Sequence, residues 1–117
     1  MLDKNTVNKV ILMGYVNKDP RWHVSNGQRS LCFQLVTTEW IKKDGDRLLH
    51  EEFHTVSVPE SLSNFQNLDK GTMVYLQGRI QTKMFLDEKR IKHYRTEVLA
   101  TGFEILDLAF ATAQLNS

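Results

Sequence analysis

The stretch from Met73 to Phe85 constrains this chain more than any other. Read with the period of two that a β-strand imposes, it separates into two unlike faces. One carries Val74, Leu76, Gly78 and Ile80, which belong in a core. The other carries Met73, Tyr75, Gln77, Arg79, Gln81, Lys83 and Phe85, which are aromatic, amide and cationic with no carboxylate among them. A solvent-facing stripe of that composition suits something flat and negatively charged. Single-stranded nucleic acid is the commonest such partner, because bases stack on rings while cations follow the phosphates.

The rest of the chain reads as β-rich. Val7 to Val16 is apolar on both faces, as in a strand buried on both sides, and Gly14 inside it marks a bulge or sharp bend. Asn17-Lys18-Asp19-Pro20 breaks that strand, and Asn26-Gly27 is a hairpin turn signal. Leu31, Phe33 and Leu35 alternate with polar residues in a second strand that runs to about Trp40. Lys42 to Arg47 is a charged hairpin around Asp44-Gly45, and a third strand follows from Leu48 to Val58, ended by Pro59. Glu60 to Asp69 is predicted as a short helix. Leu62, Phe65 and Leu68 fall at spacing three, Ser61 or Glu60 can cap the start, and Gly71 lies beyond the end. After the strand from Thr72 to Phe85, Asp87 to Lys92 forms a second charged hairpin tip. A final strand runs from His93 to about Ala100, with Phe103 to Leu108 as an added edge. Five strands with a helix between the third and fourth is the order of an OB-fold, an all-β, five-stranded Greek-key barrel. Residues 1–108 are expected to form this one domain, and 109–117 a short C-terminal segment that frays.

A chain of 117 residues is large enough for a core without staples. Its net charge of +1 gives no global basic field, so anion binding must come from local placement of Lys and Arg. The single cysteine, Cys32, excludes an internal disulfide, and between Leu31 and Phe33 it reads as a small packed residue. No apolar stretch approaches the ~20 residues of a membrane-spanning helix. The opening residues Met1 to Thr6 resemble neither a signal peptide nor an Arg-rich transit peptide.

Aromatic residues recur beside cations. Trp40 is followed by Lys42 and Lys43, Phe85 follows Arg79 and Lys83, and Trp22 lies between Arg21 and His23. Phe53 shares a strand face with Thr55 and Ser57. Stacking of a base on a ring contributes about 1–3 kcal/mol, so three or four such platforms with a few phosphate contacts give useful affinity. The alternative is that these rings simply fill the core. For Phe85 and Phe53 the strand period opposes it, since they fall opposite Val74, Leu76 and Ile80, and opposite Val56 and Val58. The two charged hairpins are solvated loop tips by themselves and walls of a groove if joined to those faces.

His50-Glu51-Glu52-Phe53-His54 matches the H-E-x-x-H pattern of zinc proteases. That chemistry needs a helix, which places the two His one turn apart. On a strand they would share a face but stand roughly 13 Å apart at ~3.3 Å per residue, too far to hold one ion. No metal, no cofactor and no catalysis are expected, and His54 reads as a polar residue on the inward or subunit-facing side.

Five motifs in order carry a resemblance: Asn8-Lys9-Val10-Ile11-Leu12-Met13-Gly14 leading to Asp19-Pro20, then Thr37-Thr38-Glu39-Trp40, then Glu52-Phe53-His54-Thr55-Val56, then Lys70-Gly71-Thr72-Met73-Val74-Tyr75-Leu76-Gln77-Gly78-Arg79-Ile80, and Tyr94-Arg95-Thr96-Glu97-Val98. From Val7 to Leu106 the chain resembles the bacterial and mitochondrial single-stranded DNA-binding proteins of the OB-fold type. The resemblance implies a homotetramer of barrels with DNA wrapped over several subunits, and the cytoplasm (bacterial nucleoid) or, after removal of a transit peptide, the mitochondrial matrix. It maps the stacking aromatics onto Trp40, Phe53 and Phe85, the last two usually Trp in the family; the stripe and the aromatic–cation pairings add Trp22, Tyr75, Lys42, Lys43, Arg79, Lys83 and Arg95 as expected DNA contacts. It places His54, Asn8 and Val10 at the oligomer interface.

Some positions depart from the family. A further family aromatic falls on Pro59, and the often basic residue before Phe85 is Met84, leaving Lys83 to supply the charge. Leu35 to Trp40 is one residue shorter than usual, and a one-residue slip would turn Trp40 to the other face. The chain ends Ala113-Gln114-Leu115-Asn116-Ser117, without the acidic tip that recruits other replication proteins in bacterial members. Two expectations follow: a non-catalytic coat for single-stranded DNA in replication, recombination and repair, or a tail-less OB-fold paralogue, dimeric, acting as a primosome or RNA-binding component.

Overall fold

The structure is a computed structural model that describes residues 5–62 and 68–106. Six strands account for most of it: β1 (Val10–Val16), β2 (Arg21–Ser25), β3 (Gln28–Lys43), β4 (Asp46–Pro59), β5 (Met73–Leu86) and β6 (Lys92–Ile105). They lie in the order β1-β5-β6-β4-β3-β2, and a further pairing of β1 with β3 closes β1, β3, β4, β6 and β5 into a five-stranded barrel. All ladders are antiparallel except β4 with β6, which is parallel and two pairs long, Val56↔Val98 and Ser57↔Leu99. The expected barrel is therefore present.

Turn chemistry sets the register of the hairpins. Asn26 and Gly27 have φ of 53° and 78°, and Asp44 and Gly45 have 54° and 83°. Positive φ at both central residues is what a type I′ turn requires, and its twist matches that of the strands it joins. Inside the barrel, Val16, Leu31, Phe33, Leu35, Val56, Val58, Val74, Leu76 and Val98 form the core, with Leu68 at its edge.

Several expectations change. β2 was not anticipated as a strand. All five of its residues are exposed, so it shows no apolar alternation, yet it continues the track of β1 along β3: Tyr15 and Val16 face Val36 and Leu35, and Arg21 to Ser25 face Cys32 to Gln28. The predicted helix is, where described, only a 3-10 turn at Glu60–Leu62; of its apolar stripe Leu68 is buried, Leu62 is exposed, and Phe65 lies outside the described residues. Phe103 and Ile105 belong to β6 itself rather than to a separate edge. The segment 109–117 also lies outside the described residues.

Gly14 marks no bulge, because the β1–β5 ladder is unbroken from Val10 to Tyr15. It is instead the point where β1 is gripped on both sides: a Cβ there would collide with the backbone carbonyl oxygen of Val36. The irregularity lies in β6, where Gln77 faces Gly102 and Gly78 faces Ala100, leaving Thr101 unpaired in the ladder. Beyond this bulge β5 and β6 leave the barrel as a two-stranded arm. Ile80 keeps the inward parity expected of it, but the core ends at Gly78 and Ile80 is half exposed. Nor is β1 buried on both sides, since its outward residues Ile11, Met13 and Tyr15 are exposed.

Candidate nucleic-acid interface

Directly paired residues on adjacent strands share a sheet face, so the ladders decide which rings lie together. In β3 and β4, Val36 faces Phe53 and Trp40 faces Leu49, whereas core-facing Leu35 faces His54. Trp40 and Phe53 therefore occupy the same outer face, about 13 Å apart along the hairpin at ~3.3 Å per residue. The shorter stretch before Trp40 has not turned it inward. In β5 and β6, Val98 belongs to the core and faces Ile80, which assigns the pairs Arg79↔Leu99, Gln81↔Glu97, Lys83↔Arg95 and Phe85↔His93 to the outer face. The short parallel junction of β4 with β6 fuses the two arms into one surface. Past it they splay around a cleft of about 220 Å³ lined by Phe53, Thr55, Ile80 and Glu97.

Three rings thus stand on one continuous outer face, and none is a core residue: Trp40 is 61% exposed, Phe53 53% and Phe85 45%. Two carry a guanidinium. Arg47 lies 5.0 Å from the centroid of Trp40, and Arg95 lies 5.6 Å from that of Phe85. The stripe read as free of carboxylates gains one from its neighbour. Glu97, with a side chain only 4% exposed, sits between Lys83 at 3.0 Å and Arg95 at 3.7 Å and accepts a hydrogen bond from Gln81 Nε2 at 3.2 Å. A buried carboxylate is tolerated only when so partnered, and it cancels part of the charge that Lys83 and Arg95 bring. Among the described residues Arg79, Lys42 and Lys43 form no ion pair.

Two expected contacts are not brought to this surface. Trp22 faces Leu31, a core residue, and so lies on the other side of the sheet, with the Arg29 guanidinium 4.0 Å above its ring and Arg29 paired to Glu60 at 3.3 Å. Tyr75 sits among β1 and β6 residues, facing Met13 and Glu104, and its hydroxyl accepts a hydrogen bond from Gln77 Nε2 at 3.1 Å. Ten residues along β5 separate it from Phe85, roughly 33 Å. Conversely, Lys18, Arg21 and Gln34 join Thr55 and Arg95 around an outer-face depression of about 780 Å³. The pairing Arg21↔Cys32 puts Arg21 there, and no local pattern announces it.

The residues expected at an oligomer interface are engaged within the chain. The Asn8 amide donates to the Ile80 carbonyl at 2.8 Å and accepts from the Ile80 N–H at 2.9 Å, prolonging the β1–β5 ladder by a side chain. Val10 packs against the core, and half-buried His54 is 2.9 Å from Thr37 Oγ1. His50 pairs with Glu52 at 2.6 Å, and the H-E-x-x-H segment is a strand throughout. Among the described residues no three His, Cys, Asp or Glu side chains are placed to hold a metal ion.

At the arm tip, Asp87 Oδ1 accepts hydrogen bonds from the Lys89 and Ile91 N–H groups at 2.8 and 2.9 Å, and Oδ2 lies 2.7 Å from His93 Nε2. The His93 contact first, then the backbone donors, hold this carboxyl below its ordinary value of 3.8. A depressed carboxyl favours the folded tip at neutral pH, and that preference disappears as pH falls through the depressed value. The Lys89 and Ile91 amide resonances are expected to shift together in a transition centred below pH 3.8; a transition centred above 3.8 would contradict these bonds.

The same barrel recurs in known proteins. The chain is 31% identical over 105 residues to a single-stranded DNA-binding protein of Neisseria meningitidis serogroup A, covering 86% of this chain and 60% of that one. It is 35% identical to single-stranded DNA-binding protein 1 of Chlorobaculum tepidum, over 86% of this chain and 65% of that one. The chain thus spans about 60% of the length of the curated relatives it matches. Among solved structures, the Plasmodium falciparum SSB in complex with ssDNA superposes with a TM-score of 0.73 at 23% identity, covering 91% of this chain and all of that one. The dimeric N-terminal domain of PriB from Thermoanaerobacter tencongensis gives 0.60 at 19% identity, over 86% of this chain and 97% of the other. These two likenesses speak for the barrel. The description of the single-strand binding protein family matches residues 7–106, the whole barrel with both arms, and to that family the chain belongs.

Proposed function

We propose that the protein binds single-stranded DNA without catalysis and with little regard to base sequence, covering strands exposed during replication, recombination and repair. One observation carries this: Trp40, Phe53 and Phe85, all about half exposed, share one outer face with Arg79, Lys83 and Arg95, and Lys42 follows Trp40 on the same hairpin. Every base offers a flat face to such rings, and cations between them can follow a backbone of phosphates. The names of the relatives and the DNA-bound Plasmodium neighbour support the same reading.

The test is equilibrium titration of tryptophan fluorescence with homopolymer single strands and with duplex over a range of salt. Expected are a clear preference for single strands and a log–log salt slope of about −0.7 per phosphate contacted. Equal affinity for duplex would refute the proposal.

We further infer an oligomer, a homotetramer as the family suggests. The exposed Ile11, Met13 and Tyr15 on β1, next to Asn8 and Val10, make an apolar strip that a second copy would cover. The PriB neighbour is dimeric, and a dimer is the second reading. Light scattering of the same preparation separates a tetramer from a dimer.

A further inference from the structure

We propose that His93 is a further DNA-contacting residue, forming with Phe85 a two-ring stacking platform at the tip of the β5–β6 arm. The inference rests on the single-stranded DNA reading above. Phe85 and His93 are direct cross-strand partners on the outer face. Their ring centroids are 5.2 Å apart and their planes only 17° from parallel, so the imidazole is stacked, with an offset, on the phenyl rather than edge-on to it. A base arriving at Phe85 meets this pair, with Arg95 against the same ring, and not an isolated phenyl.

The imidazole is also held in place. Its Nε2 is fixed by Asp87 at 2.7 Å, and Asp87 is in turn fixed by the backbone N–H groups of Lys89 and Ile91. The hairpin turn therefore orients a carboxylate, the carboxylate orients a ring, and the ring lies against Phe85. With both rings ordered in advance, less conformational freedom is lost when a base stacks on them. With Nε2 turned to Asp87, Nδ1 is left for a base edge or a phosphate. The charged groups around it on this face are Asp87, Arg95 and Lys83, with Glu97 beneath the last two.

Folding does not account for the arrangement. The His93 side chain is 45% exposed, on an arm that has already left the core, and exposed ion pairs add little to stability. The turn needs Asp87, which makes its backbone bonds without help from His93. A phenyl offers a base less aromatic surface than an indole does, and a second ring stacked parallel to it adds to that surface.

Binding of an oligo(dT) strand to the full chain, followed by tryptophan fluorescence, tests this with His93→Ala and His93→Phe beside the wild type. The expected result is about a fivefold or greater loss for His93→Ala, the lower end of one stacking contact, with an unchanged melting temperature. His93→Phe, which keeps two stacked rings, is expected to stay within about threefold of wild type. His93→Ala binding as well as wild type, or His93→Phe binding as poorly as His93→Ala, overturns the two-ring platform. A wild-type protein that fails to bind the strand at all refutes the DNA reading itself, a separate outcome.

Discussion

A single methyl group added at Gly14 is expected to cost about 3 kcal/mol or more of folding stability, at the upper end of what overpacking does. The atom it meets is the Val36 carbonyl oxygen, with Thr37 Cγ2 3.3 Å away behind it. Backbone cannot turn aside as a side-chain tip can. Moving Val36 would open the contact of β1 with β3, which is only two pairs long, Tyr15↔Val36 and Val16↔Leu35, and which closes the barrel. β1 cannot retreat either, because it is laddered to β5 from Val10 to Tyr15. Gly27→Ala makes a useful contrast. It meets no atom within 4 Å and suffers only from its φ of +78°, so a cost of about 1 kcal/mol is expected. Thermal unfolding would distinguish them, with a fall of more than about 10 °C expected for Gly14→Ala. A fall no larger than that of Gly27→Ala would mean that β1 and β3 are not held as described.

Removing the two rings of the β3–β4 arm together, Trp40→Ala with Phe53→Ala, is expected to weaken single-strand binding by about 2–6 kcal/mol, the sum of two stacking contacts. Additivity is reasonable because the rings are roughly 13 Å apart and share no partner. Both are more than half exposed, so stability should hardly change. With Trp40 gone, the readout must be a labelled strand rather than intrinsic fluorescence. Trp22→Ala is the control: its ring lies on the other side of the sheet, and its loss should leave affinity within about 0.5 kcal/mol. A double variant that still binds like wild type, or a Trp22 variant that does not, would displace the binding face from where the ladders put it.

What could be read from the amino-acid order alone was whatever one strand carries by itself. The alternation from Met73 to Phe85 places Phe85, Lys83 and Arg79 on one face without reference to any other residue, and the structure keeps them there. Asn26-Gly27 and Asp44-Gly45 announce their turns for the same reason, since the demand for positive φ is local. Relations between strands were hidden. Glu97 lies 16 positions from Gln81, and only the ladder shows that it sits opposite it on the face that lacked a carboxylate. Ile80 has the right period for a core but lies past the point where the core stops, and period carries no length. Trp22 looked like a fourth platform because Arg21 and His23 flank it, but its face is decided by Leu31, its partner across the hairpin. β2 was invisible because its residues are exposed on both sides, and its pairing with β3 is what makes it a strand.

The shortest seams of the barrel are β1 with β3 and β4 with β6, two pairs each, while the β3–β4 hairpin runs from Ser30↔Pro59 to Lys43↔Asp46. A chain gaining structure makes near-neighbour contacts early and pays for long loops late. The two hairpins can therefore form separately, each with its own rings, before the Val56–Val98 seam joins them. The surface that spans both arms exists only once that last stitch is made. A partly folded molecule thus holds every ring and cation of the site without the site, and affinity for a strand should arrive all at once at the end of folding rather than grow along the way.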